Sequence, residues 1–279
     1  MSQGYYVPAP SKWPIIGATA LFLMAFGVVG SVNRLPVGHW VLIIGLTVLA
    51  YLIYGWVREV ALESEAGKYK AKEDKSFRWS MAWFIFSEVM FFASFFAALY
   101  YMRVLSVPWL AGPEQELLWP DFAGGWPTAG PGFDEKFTPM AAWGIPAFNT
   151  TLLLLSGVTI TFAHWALKKN DRGALKLWLF VTILLGLTFL GCQMYEYGHA
   201  YSEMNLKMTS GAYGSIFYIL TGFHGFHVSV GTIMLISIFF RILNGHFTPD
   251  QHFGFEGVAW YWHFVDVVWL ILFIFVYLV

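Results

Sequence analysis

Residues 79–102, WSMAWFIFSEVMFFASFFAALYYM, hold one ionisable side chain besides tyrosine: Glu88. The run is long enough to cross a bilayer as a helix. A charge near the bilayer centre costs about 3 kcal/mol on insertion scales and more than about 10 in simulations. Glu88 is therefore protonated, paired, or both. Two chemistries are open to it. One is a neutral acid making a single helix–helix hydrogen bond. The other is a group tied to proton movement, or to protecting a proton pathway.

His224 and His227 stand at i, i+3 in a second apolar run and so share a helix face. Counted at about 1.5 Å per residue, they reach a membrane depth comparable to that of Glu88. His263 and Asp266 repeat the i, i+3 spacing near the end of the chain. Histidines three apart on one helix cannot be the two axial ligands of one haem. They are hydrogen-bonded in a buried polar cluster with Glu88, or they relay protons. Thr221, Gly225 and Ser229 form a small-residue seam where another helix can approach. Arg58 and Arg241 fall at one membrane boundary, where guanidinium groups either hold phosphate in bidentate fashion or snorkel to water. His246 is placed to join a headgroup site there. Glu256 opens the last apolar run, where a carboxylate complements the helix dipole in a structural role. Glu196 and His199 are expected at the opposite interface. Cys192 is the single cysteine, so no intramolecular disulfide and no cysteine-based metal site is available.

These side chains need spanning helices to position them. The chain is 58% hydrophobic and only 12% charged over 279 residues, against roughly 25% charged in soluble domains. Apolar windows fall near 14–33, 39–61, 79–103, 141–167, 174–199, 211–243 and 254–279, predicting an all-α polytopic membrane protein of seven transmembrane helices. The short alternating segments of a membrane barrel are missing. Twelve Lys and Arg residues fall on one side of these spans and four on the other. That asymmetry places the N-terminus inside and the C-terminus outside. The N-terminal residues carry no cleavable signal pattern, so the first apolar run is expected to stay as a helix. Net charge is −1, and no basic arm points to nucleic acid.

Residues 62–78, LESEAGKYKAKEDKSFR, form the dense charge run and read as a solvated inner loop. The run suggests a division into 1–70, a two-helix bundle, and 71–279, a five-helix bundle. Residues 104–140 read as a long outer loop rich in Pro and Gly, functional, partner-facing or mobile at that length. No internal repeat marks an inverted-repeat transporter.

Six blocks make the chain resemble subunit III of the haem–copper cytochrome c oxidases. They are WPIIGA at 13–18, WVREVALES at 56–64, FIFSEVMFFASFF at 84–96, FNTTLLLLSGVTITFAHWAL at 148–167, YGSIFYILTGFHGFHVSVGT at 213–232 and HFGFEGVAWYWHFVDVVWL at 252–270. The resemblance implies helices 1–2 and 3–7 in two bundles around a lipid-binding cleft. It implies no haem, copper or other metal in this chain and no catalytic residue. The redox centres would lie in partner subunits, with subunit I a direct partner and subunit II and small subunits in the same complex. It further implies support of proton uptake and of resistance to turnover inactivation. Glu88 matches the family's carbodiimide-reactive carboxylate, and Arg58, Glu59, Glu63 and Arg241 match positions near bound phospholipid. The chain departs from some relatives at Leu62, where they carry arginine, and at Lys68 and Lys70, where they have a histidine-rich loop. The long 104–140 segment favours a bacterial cell membrane over a mitochondrial inner membrane. Three other readings stay open on sequence: the third subunit of a related quinol oxidase, a stand-alone proton-coupled transporter, and a haem- or quinone-binding redox subunit.

Overall fold

A computed structural model describes residues 5–133 and 136–278. Seven of its helices are long and apolar enough to cross a membrane: α1 (Trp13–Val32), α2 (Gly38–Glu65), α3 (Ala71–Leu110), α4 (Ile145–Lys168), α5 (Arg172–Ser202), α6 (Gly211–Leu243) and α7 (Phe253–Leu278). Among the described residues there is no strand. The chain divides into two compact units, Met1–Phe77 and Arg78–Val279. The last residue of the expected seventh span, Val279, lies outside the described residues, as do 134–135 of the expected outer loop.

Two expected loops are shorter than the sequence implied. Tyr101–Ser106 continue α3 as a π-turn and Val107–Leu110 as α-helix, so 104–110 are helical. The charge run is helical at both ends as well, in α2 to Glu65 and in α3 from Ala71. Charge alone did not break these helices, because Ala, Glu, Lys and Leu are all good helix formers.

In the first unit, α1 and α2 pack as a hairpin by backbone contact. The buried positions are Ala20, Gly27 and Gly30 on α1, with Gly38 and Gly45 on α2. A Cβ on Gly27 would collide with the Leu42 backbone, and one on Gly38 with the backbone of Gly30 and Ser31. Large side chains face outward instead; Trp40 is 68% exposed. That distribution suits lipid, where close packing rather than apolar burial holds helices together.

At the charged end of this unit Glu63 accepts hydrogen bonds from the Tyr6 hydroxyl at 2.7 Å and the Tyr69 hydroxyl at 2.6 Å. Lys68 stands 3.5 Å from the same carboxylate. Glu73, buried, receives the backbone N–H of Tyr6 at 2.7 Å and of Lys70 at 3.0 Å. The run expected to be solvated therefore folds the N-terminal segment onto the α2–α3 turn.

The second unit is built around α7. The indole of Trp262 is fully buried and donates to Ser156 Oγ on α4 at 2.8 Å. Its ring lies against Gly186 of α5 and Gly231 of α6, where added Cβ atoms would fall 2.8 and 2.9 Å from it. Three helices thus converge on one side chain. One face further along, Trp269 donates to Thr150 Oγ1 at 2.9 Å and packs edge-on against Phe189. The small-residue seam expected at Gly225 is not the close approach, because nothing lies within 4 Å of a Cβ built there. Thr221, its neighbour in that seam, instead hydrogen-bonds Tyr197 at 2.7 Å.

The outer segment is tied to the α5–α6 turn. Ala212 and Tyr213 donate backbone N–H groups to Ala129 and Thr128 at 2.9 and 3.1 Å, and Thr138 donates to Met204 at 2.9 Å. Gly211 takes a positive φ of 71° against the Ala129 carbonyl, a position with no room for a side chain.

Candidate functional site

Glu88 and His227 meet in mid-span. Oε2 of Glu88 lies 2.9 Å from Nε2 of His227. The other ring nitrogen, Nδ1, is 2.7 Å from the Phe223 carbonyl. A carbonyl only accepts, so Nδ1 carries hydrogen. The Nε2 lone pair then faces a carboxyl oxygen, and one proton must lie between them. It belongs either to a carboxylic acid beside neutral imidazole or to an imidazolium beside carboxylate. Phe91 and Phe92 pack on the imidazole at 5.9 and 5.0 Å, so the pair sits among aromatic rings. Glu88 itself is half-buried, its side chain 21% exposed.

His224 does not join this pair. It is fully buried, with Nε2 donating to the Val265 carbonyl at 3.2 Å and its ring 5.0 Å from that of Trp269. It ties α6 to α7 and belongs to the core. The three-residue spacing gave the two histidines neighbouring directions, and the packing of α3 on one side and α7 on the other separated them.

His263 and Asp266 lie on a groove between α4 and α7 that is open to the outside. His263 Nδ1 is 4.0 Å from Asp266 Oδ2, and its Nε2 is 3.4 Å from Thr161 Oγ1. The His263 side chain is 45% exposed on a spanning helix. Leu154, Val158, Phe162 and Trp165 line the groove around it.

The pair expected at the interface differs in burial. His199 faces Glu203 at 3.2 Å on an exposed surface. Glu196 is 1% exposed and accepts from the Tyr277 hydroxyl at 2.7 Å. The π-turn Phe273–Leu278 at the end of α7 carries Tyr277 over it. Hydropathy fixes a residue's depth and not the face it occupies, so Glu196 read as interfacial.

The residues expected near phospholipid occupy two places. In the first unit Arg58 is exposed, Glu59 accepts from the Trp13 indole and Glu63 from the two tyrosines. Burial, then the hydrogen bond to Glu63, pushes the Tyr69 hydroxyl above its ordinary range; the hydrogen bond to Glu63 does the same for Tyr6. In the second unit the Arg241 guanidinium lies 4.3 Å over the Phe247 ring, and its Nε donates to His246 Nδ1 at 3.3 Å. Arg172 holds this turn by donating to the carbonyls of His246 and Phe247. In the sequence Arg172 is one of the twelve basic residues on the inner side and carries no other signal.

Glu256 is more than a dipole complement. It pairs with Arg78, and its Oε1 lies 3.2 Å from His164 Nε2 and 3.3 Å from His252 Nε2.

Seven spanning-type helices with titratable side chains paired at mid-depth define a polytopic α-helical membrane protein. The family model for cytochrome c oxidase subunit III matches residues 3–279. The chain is 41% identical over 278 residues to cytochrome c oxidase subunit 3 of Latimeria chalumnae and 40% identical over 279 residues to that of Bos taurus. Each alignment covers 99% of this chain and 97% of the relative. The chain belongs to the cytochrome c oxidase subunit III family.

Proposed function

We propose that the chain is an accessory subunit of a respiratory cytochrome c oxidase that reduces oxygen to water with electrons from cytochrome c and moves protons. In this reading haem and copper belong to partner subunits, subunit I in direct contact, with subunit II and small subunits in the same complex. The chain stabilises subunit I, binds structural phospholipid and sustains proton uptake through many turnovers. It sits in a bacterial cell membrane with its N-terminus cytoplasmic and its C-terminus periplasmic.

The observation that carries the reading, beside family membership, is the half-exposed His263 on a spanning helix. Polar side chains at membrane depth face protein or water rather than lipid, so this face calls for a protein neighbour. The Glu88–His227 pair supplies the proton chemistry: one shared proton, held among phenyl rings, that either partner can carry. The guanidinium groups of Arg58 and Arg241 are of a kind that suits phosphate, and the twelve-to-four Lys/Arg asymmetry supports the orientation.

Affinity purification through a tag on this chain tests the reading. Haem- and copper-bearing subunits should copurify with oxygen-reducing activity, and the separated chain should have no haem spectrum. A chain that purifies alone and moves protons in vesicles would contradict it.

A further inference from the structure

The geometry points to a divalent-metal site formed by His164, His252 and Glu256, of the kind that takes zinc. Their ligand atoms all lie within 4.8 Å of one another. His164 stands in the last turn of α4, His252 caps α7, and Glu256 lies in the first turn of α7. All three share the membrane edge that carries Lys168, Arg172 and Arg241.

Two observations bear on the cation this cluster could hold. The first is the tautomer of His252. Its Nδ1 lies 3.1 Å from the Thr248 carbonyl, which can only accept, so Nδ1 bears the hydrogen. Nε2 then presents a lone pair to Glu256 Oε1 at 3.3 Å, and two electron-rich atoms face each other with at least nine-tenths of both side chains buried. Either a proton, as between His227 and Glu88, or a metal ion must sit between them. The second is direction. The Nε2 atoms of His164 and His252 are buried, yet neither makes a hydrogen bond, although both lie 3.2–3.3 Å from the same oxygen. The two nitrogen–oxygen separations suit a shared ion, and neither contact has the geometry of N–H donation. In a tetrahedral site with bonds of about 2.0–2.1 Å, neighbouring ligand atoms are about 3.3 Å apart.

The surroundings fit the same role. Thr248 fixes the His252 ring through its far nitrogen, as carbonyls do for metal-bound histidines. Arg78 engages the carboxylate and orients it, while its own guanidinium stacks on Phe253 at 5.6 Å. Two imidazoles and one carboxylate are ligands of borderline hardness, which favour zinc over magnesium or calcium. Three protein ligands leave the fourth position for water.

The purified complex, stripped with EDTA and re-equilibrated with zinc sulfate, provides the test. Diffraction above and below the zinc absorption edge should show an anomalous peak between the three side chains. His252→Asn and His164→Gln should each weaken zinc binding about tenfold or more, removing one zinc per complex at limiting concentration. A wild-type map without that peak at saturating zinc would overturn the site, and it decides the matter even if the variants fail to assemble. Unchanged zinc content in assembled variants would also overturn it, leaving a proton as the bridging cation.

Discussion

Nδ1 of His227 donates to its own helix at Phe223, and this turns the other ring nitrogen, Nε2, toward Glu88 as an acceptor or as the seat of a shared proton. Replacement of Glu88 therefore separates hydrogen bonding from ionisation. Glutamine keeps the volume and offers an amide N–H to Nε2, so Glu88→Gln should assemble normally. Leucine leaves Nε2 unsatisfied, at about 1–3 kcal/mol for a buried polar group. Thermal dissociation of the chain from its complex should rank wild type and Glu88→Gln together, with Glu88→Leu below them.

Trp262 gives the second prediction. Its indole fills the space left by Gly186 and Gly231, so Gly231→Ala forces a Cβ to 2.9 Å from the ring. Overpacking of this kind costs about 1–3 kcal/mol. Gly225→Ala, on the same helix but with nothing within 4 Å, should stay within about 0.5 kcal/mol of wild type. Retained chain after heating in detergent distinguishes the two. Equal loss in both variants would mean that α6 does not pack as described.

The Tyr69 hydroxyl is pushed up by burial and by its hydrogen bond to Glu63. A raised value in the folded chain means that its contribution is complete below the ordinary tyrosine range, about pH 10, and fades only as pH rises through the raised value. Tyr69→Phe should thus loosen the N-terminal segment at neutral pH, where wild type holds it. Limited proteolysis near residues 5–12 from pH 7 to 10 should show early cleavage in the variant and a flat profile in wild type.

Arg58→Ala and Arg241→Ala should each lower the phospholipid retained by the purified complex, because each removes a guanidinium suited to phosphate. Arg241 also stacks on Phe247 and bonds His246, so Arg241→Lys should lose lipid while keeping some of the loop contact. Phosphorus per haem is the measurement. Unchanged content in the double variant would mean that the arginines only reach water.

The seven spans were readable because each is apolar over about 20 residues, and length in lipid is set by the bilayer. Glu88 stood out for the same reason: a lone carboxylate in such a run must find a partner. Which histidine it finds was not readable, since His224 and His227 differ by about 60° around one helix at 3.6 residues per turn, and only packing chooses. The glycine hairpin of α1 and α2 was within reach of sequence, as Gly27, Gly30, Gly38 and Gly45 are small residues in apolar runs. The seam at Thr221, Gly225 and Ser229 drew attention by its regular spacing instead. Of the Glu256 cluster only the i, i+4 spacing of His252 and Glu256 was within reach of sequence, because His164 is brought to it from another helix.

The central claim is that the chain sustains proton uptake in an oxidase without holding the redox centres. Oxygen consumption by the purified Glu88→Gln complex, followed through sustained turnover beside its haem spectrum, tests it most directly. The account predicts normal haem content and assembly, with slower proton-limited turnover or earlier inactivation than wild type. Loss of haem in proportion to loss of rate, with the chain still bound, would contradict it.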